Sequence, residues 1–222
     1  MASPKPASAT DLERRTGTAD RIVDAAEQLF AERGFAGTAV RDIAALVGLN
    51  AASLYNHFPG KKELYEAVLD RGLQPVFEML TDLSNSDWSP SRDERAIEMI
   101  VDHFAAQPNL ARLLHQEALA GGDNITRLAG RWLAPIVGQG LEALRTSPAL
   151  EGWSDDDLPL LIMALHNLVL GYFSMASLHE KIFGIDPMSE AALARQKDFL
   201  RRAMRRLVGS PAHPVGKPGG DT

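Results

Sequence analysis

Apolar positions recur at intervals of three and four residues wherever a period is readable, and no stretch alternates apolar and polar residues between hairpin dipeptides. The expected fold class is therefore all-α, with about nine helices in total. The first is expected over Ala19–Arg33, with Thr18 as its cap, Asp20 in its first turn, a buried stripe of Ile22, Ala26, Leu29 and Phe30, and Gly34 as its stop. A second, short helix follows Thr38, again a capping hydroxyl, with Val40, Ile43, Ala44 and Val47 on one face and Gly48 at its end. Asn50 can cap a third over Ala51–Phe58, which Pro59-Gly60 closes. A fourth starts near Lys61 and runs through Leu64 and Val68 towards Gly72-Pro75, where a kink or break is expected. Longer helices follow over Arg92–Ala106, Asn109–Leu119, Asp123–Arg145, Asp156–Phe183 and Ser189–Val208. The Leu158–Phe173 stretch is apolar nearly all round, which implies burial on more than one face and contact with a partner subunit.

The ends break this pattern. Residues 1–17 and 209–222 are rich in Pro, Ser, Gly and polar groups and read as a disordered arm and tail. Between them the chain divides into a short-helix domain over 18–72 and a long-helix domain over 73–208. The absence of cysteine removes thiol catalysis, disulfides and Cys-type metal sites and favours a reducing compartment. No apolar run approaches the roughly 18 residues of a membrane span, and the N-terminus lacks a signal-peptide core. The expected location is the cytoplasm, with no membrane partner. A net charge of −6 argues against a protein that coats nucleic acid indiscriminately, yet leaves room for a local basic surface.

Two short helices joined by Gly48-Leu49-Asn50 are what a helix-turn-helix needs, since glycine allows the sharp turn and Leu49 fills the wedge. At 100° per residue, Ala51, Leu54 and Phe58 of the third helix face inward while Ala52, Ser53 and Asn56 face outward, flanked by Tyr55 and His57. Such short side chains suit a helix pressed into a major groove. Asn56 can pair with adenine and Ala52 can touch a thymine methyl. Tyr55, His57, Lys61 and Lys62 can donate to phosphates, and Arg41 is the long donor of the second helix.

These residues resemble a known family. The stretch Ile22-Val23-Asp24-Ala25-Ala26, then Leu29-Phe30, Gly34-Phe35, Thr38, Arg41-Asp42-Ile43-Ala44, Val47-Gly48, Ser53 to Phe58 and Lys61-Lys62-Glu63-Leu64 is similar to the DNA-binding domain of TetR-type (tetracycline-repressor-like) regulators. The resemblance covers Thr18 to about Leu69 and is much weaker beyond. It implies a homodimeric, ligand-responsive transcriptional regulator, usually a repressor, that binds double-stranded operator DNA and carries its effector pocket and dimer interface in the C-terminal domain. It makes Ala52, Ser53, Tyr55, Asn56 and His57 the recognition contacts, with Thr38 and Arg41 in support and Lys61 at the start of the fourth helix. Pro59-Gly60 departs from the family pattern of a polar residue and a capping serine or asparagine.

In the C-terminal domain His103, Phe104, His115, Trp132, Ile136, Met163, His166, Asn167 and Tyr172 are candidate pocket residues for an unknown small molecule, though such walls also describe a plain bundle core. Leu170, Phe173, Phe199, Met204 and Leu207 are the candidate dimer contacts. No His-x-x-x-His pair, Gly-x-Ser-x-Gly or glycine-rich phosphate loop occurs, so no metal, cofactor or enzymatic activity is expected. The rival reading is a helical small-molecule-binding or metal-dependent enzyme that keeps the helix-turn-helix as a scaffold. Arg201, Arg202, Arg205 and Arg206 read as a solvated face that opposes the dipole of the last helix rather than as a second nucleic-acid patch.

Overall fold

The computed structural model describes residues 9–86, 89–121, 123–145 and 153–208, so residues 1–8 of the expected arm and the expected tail at 209–222 lie outside the described residues. Within them the regular elements are all helical: α1 (Ala9–Gly37), α2 (Val40–Leu46), α3 (Ala51–Tyr55), α4 (Lys61–Asn85), α5 (Pro90–Ala106), α6 (Pro108–Ala120), α7 (Asp123–Leu128), α8 (Ala134–Arg145), α9 (Leu158–Ser174), α10 (Ala176–Phe183) and α11 (Glu190–Val208). A π turn over Ala129–Leu133 joins α7 to α8.

The N-terminal helices form around one apolar stripe. Ile22, Ala26, Leu29 and Phe30 of α1 are buried, and Gly34, at φ +72°, breaks the helical run where the sequence places a stop. The Phe30 ring meets the edge of Tyr65 from α4 at 4.9 Å and stacks near Phe35 at 6.0 Å. Arg71 of α4 clamps the other side of α1, with Nη1 2.5 Å from Asp24 and Nη2 2.6 Å from Glu27. Because α1 starts at Ala9, Thr18 is a mid-helix residue and not the expected cap.

Three expectations need correction. First, α4 runs unbroken through Pro75, whose missing N–H leaves the Arg71 carbonyl without its helical donor. Packing holds the helix together, since Leu64, Tyr65, Val68, Leu69, Gly72, Leu73, Val76 and Met79 are all buried along it. Second, the long apolar helix expected over 156–183 is two, α9 and α10, bent by 70° at a break where Met175 stands. Third, the arginines of α11 are not a merely solvated face. Lys197, Arg201 and Arg205 pair with Asp102, Glu98 and Glu94 of the antiparallel α5, while Arg202 pairs with Asp198 within α11. Each rung is partly exposed and worth little alone, but three rungs at i, i+4 and i+8 on both helices set the register of α11 on α5.

The domains are joined by interdigitation along α4 as well as by a common apolar core. Asp70 of α4 takes Trp132 Nε1 at 2.8 Å and Arg131 at 2.6 Å, both from the π turn that widens the helix there. The Gly72 carbonyl lies 2.8 Å from His103 Nε2 of α5. A Cβ added at Gly72 would stand 2.6 Å from Leu110 Cδ1, so α6 packs against bare α4 backbone. Gly72→Ala gains about 0.5–1 kcal/mol of helix propensity and loses about 1–3 kcal/mol to overpacking against a buried leucine. We expect a net loss near 1 kcal/mol by urea denaturation; an unchanged or raised midpoint would contradict the close packing.

Candidate nucleic-acid interface and interior cavity

The reading head is built by a glycine, a cap and a wedge. Gly48 takes φ +70° in the turn between α2 and α3. Asn50 caps α3, its side-chain oxygen accepting from Ser53 N at 2.8 Å. Leu49 packs against the common core, and Ile43, Ala44 and Leu54 are buried beneath the turn. That leaves Ala52, Tyr55 and Asn56 exposed on one side, with Ser53 and His57 half-buried at its borders. Helical geometry ends at Tyr55, and Asn56 and His57 continue in a turn that donates to Ser53 and Leu54 carbonyls. Ala52, Tyr55 and Asn56 are thus displayed on a shorter helix than the expected Ala51–Phe58, while Ser53, expected to face outward with Ala52 and Asn56, is half-buried.

Cations ring this display unequally. Arg41 is extended into solvent with its side chain 85 % exposed, 3.6 Å from Asp42. Lys62 is exposed. Lys61 is tied down, donating to the Ala36 carbonyl at 3.3 Å and lying 4.5 Å from the centre of the Phe35 ring. Burial there pulls its pKa below the ordinary lysine value. Gly60 is the N-cap of α4 without a side-chain cap, and Glu63 folds back so closely that a Cβ at Gly60 would sit 2.6 Å from its carboxylate. The exposed Glu63 side chain can swing aside, so nothing in the structure explains a glycine where a capping serine or asparagine is expected.

Thr38 is a correction. It is 2 % exposed, and its hydroxyl lies 2.8 Å from the Gly34 carbonyl and 3.1 Å from that of Leu29. It caps the end of α1 and not the start of α2, whose N-cap is Ala39, and its hydroxyl is turned onto the carbonyls of α1 and not outward. Thr38→Val is expected to lower stability by about 1–2 kcal/mol by leaving buried carbonyls unpaired. The salt dependence of DNA binding should be unchanged, and a flatter salt slope in the variant would restore Thr38 to the interface.

The C-terminal domain holds a cavity of about 240 Å³ between α4, α5, α6, α8, α9 and α11. Of the candidate pocket residues, Phe104, Ile136 and His166 line it. His103 is held to α4, Trp132 to Asp70, and Tyr172 donates to the Pro187 carbonyl at 2.7 Å. His115, Met163 and Asn167 are exposed on α6 and α9 outside the cavity lining. Missed were Leu73, Val76, Leu80 and Leu83, which place one face of α4 along the cavity, and Arg92 of α5, 4 % exposed, with Nη1 donating to the carbonyls of Ser86 at 3.1 Å and Leu83 at 3.4 Å. Desolvation among apolar neighbours holds the His166 pKa below its ordinary value, which leaves the ring neutral at neutral pH.

Two residues on from the cavity wall at Leu114, α6 reaches the reading head: Gln116 Nε2 donates to the Ala31 carbonyl of α1 at 2.9 Å. Buried Glu117 faces Tyr65 of α4, and burial together with that carboxylate raises the phenol pKa, so Tyr65 stays protonated.

The candidate dimer contacts are rearranged. Leu170 and Phe173 are 7 % and 1 % exposed in the chain's own core, and Met204 lines the cavity. Phe199 stands 47 % exposed, and the side chain of Leu207 lies outside the described residues. The exposed apolar row on α9 is Leu160 and Met163, at 62 % and 59 %, and α10 adds Leu178, Ile182 and Phe183. Among the described residues no single helix is long and apolar enough to cross a membrane.

Comparison with known proteins places this geometry. Residues 22–68 match the model for bacterial regulatory proteins of the tetR family, and residues 94–204, half of the chain, match the model for the tetracyclin repressor-like C-terminal domain. The HTH-type transcriptional repressor DrrR1 of Streptomyces coeruleorubidus is 29 % identical over 156 residues, 70 % of this chain and 52 % of that protein. The negative regulator IcaR of the biofilm operon in Staphylococcus aureus is 51 % identical over 47 residues, 21 % of this chain and 25 % of that protein. The chain thus spans about half or less of the length of these curated relatives. A putative fatty acid metabolism regulator of Clostridium perfringens shares the fold, with a TM-score of 0.67 at 20 % identity over 86 % of this chain and 98 % of that one. A helix-turn-helix on α2 and α3, carried by α4 into a larger helical domain that matches its own model over half the chain, shows that this protein belongs to the TetR family of bacterial regulatory proteins.

Proposed function

We propose that the protein is a transcriptional repressor that binds a pseudo-palindromic operator as a homodimer and is released by a small molecule bound in the C-terminal cavity. The observation that carries this reading is the α3 display: Ala52, Tyr55 and Asn56 exposed on a capped helix, with Arg41 and Lys62 free of the core on its flanks. Small and amide side chains there can enter a major groove, while the cations and the Tyr55 hydroxyl reach phosphates. DrrR1 is a transcriptional repressor and IcaR a negative transcriptional regulator, which favours this reading over an enzyme built on a helix-turn-helix scaffold.

Two copies joined through the exposed apolar row of α9 would set two α3 helices roughly 34–36 Å apart, one turn of DNA. Coupling to the cavity runs through α4, one unbroken rod with Lys61 against the reading head and Leu73–Leu83 against the cavity. Because Pro75 does not break it, α4 acts as a lever and not as a hinge at Gly72-Pro75. An effector that prefers one tilt of α4 changes the spacing of the two heads and so the affinity for DNA.

The test is selection of the purified protein on a pool of random duplexes. The expected result is enrichment of a two-fold-related motif with half-site centres about 10 bp apart. A pool that stays random through successive rounds would overturn the reading.

A further inference from the structure

The charge pattern of the cavity limits what can fill it. Leucine, isoleucine, valine, alanine, phenylalanine and methionine build its walls, and among the described lining residues the polar side chains are Arg92 and His166. Water held in such a space needs about two to four polar partners, more than these walls offer over most of their area. An apolar occupant therefore displaces it with little loss of hydrogen bonding.

Neither polar group is open to an ion. Arg92 is 4 % exposed, and its Nη1 donates to the Ser86 and Leu83 carbonyls at the C-terminal end of α4, where a cation also offsets the helix dipole. It holds a further partner besides. A carboxylate would have to displace those partners, and an ammonium would meet a like charge. Val137 and His166 are the exposed members of the lining and place the mouth between α8 and α9. The imidazole there is uncharged at neutral pH, so the mouth adds no ionised side chain among the described residues. An ion carried into these walls loses its hydration and gains no free counter-charge.

Volume sets the scale of the occupant. At about 240 Å³ the cavity exceeds the ~150 Å³ of an apolar cavity that takes up benzene, which makes room for about ten non-hydrogen atoms. We infer that the cavity takes an uncharged, predominantly apolar molecule of about that size and rejects ions of either sign built on the same skeleton. The inference rests on the reading of this cavity as the effector site and names the ligand class that site would bind.

The experiment titrates the full chain with butylbenzene, ethylbenzene, 4-phenylbutan-1-ol, 4-phenylbutylammonium and 4-phenylbutanoate, followed by calorimetry and, in parallel, by release of DNA selected as above. The alcohol and the ammonium differ in charge but hardly in shape. Butylbenzene is expected to bind, ethylbenzene about tenfold more weakly for its two missing methylenes, and both ions at least about tenfold more weakly than the alcohol. Ala96→Phe, which fills the cavity, should abolish binding of the neutral probes, and the probe series on the unaltered protein carries the test if that variant does not fold. Equal affinity for butylbenzene and ethylbenzene, either ion binding as tightly as the alcohol, binding that survives Ala96→Phe, or no binding of any probe would overturn the inference. Binding of the neutral probes without DNA release would uphold the ligand class and contradict the effector role proposed for the cavity, whereas DNA release by an ion alone would do the reverse.

Discussion

Phe30→Ala is expected to lower the unfolding free energy by about 3–5 kcal/mol, a large share of the 5–15 kcal/mol typical of a folded domain. Phe30 is fully buried, and its ring is the shared neighbour of Phe35 at the end of α1 and Tyr65 on α4. Truncation removes the apolar transfer energy, the edge-to-face contact and the anchor for the loop that precedes α2. Leu54 of α3 belongs to the same apolar cluster, so the helix-turn-helix should loosen together with α1. Urea denaturation followed by circular dichroism checks this. A loss under about 1 kcal/mol would mean that the ring is not the keystone the geometry makes it.

Leu160→Asp combined with Met163→Asp is expected to convert a dimer into monomers and to lower operator affinity by about 10²–10⁴-fold. Both side chains are mostly exposed on one face of α9, so the substitutions leave the chain's own core intact. Two carboxylates placed in the centre of an isologous interface meet their own copies across the two-fold axis, which doubles the repulsion. A monomer offers one α3 to the DNA and loses the gain from a second, linked contact. Light scattering with unchanged far-ultraviolet circular dichroism reads the outcome. An intact dimer would move the interface away from α9.

The helix-turn-helix is legible in the sequence because its determinants are local: Gly48 for the positive φ, Asn50 for the cap, and an apolar spacing that buries Ile43, Ala44 and Leu54. What escapes such reading depends on distant packing. Pro75 looks like a break, but buried neighbours before and after it on α4 offset one lost hydrogen bond. The bend at Met175 carries neither glycine nor proline and has no local signal. Leu170 and Phe173 look like interface residues on an apolar helix, and only the rotation of α9 against α6 turns them into the core. The α4 wall of the cavity is missed as a consequence of the supposed break, and Arg92 because an arginine in an amphipathic helix reads as exposed. Thr38 matches both a DNA contact and a corner lock, and the carbonyls it reaches decide for the lock.

The central claim is that sequence is read by the exposed side of α3, and Asn56→Ala tests it most directly. Asn56 is exposed just past the last α3 turn and takes no part in the core, so the variant should fold as the parent does. Affinity for the selected duplex and for random duplex would be measured side by side. Loss of a bidentate amide–adenine pair predicts a drop of about 5–150-fold on the selected duplex and no change on the random one. Equal affinities of variant and parent for both duplexes, or an equal loss on both, would contradict the claim.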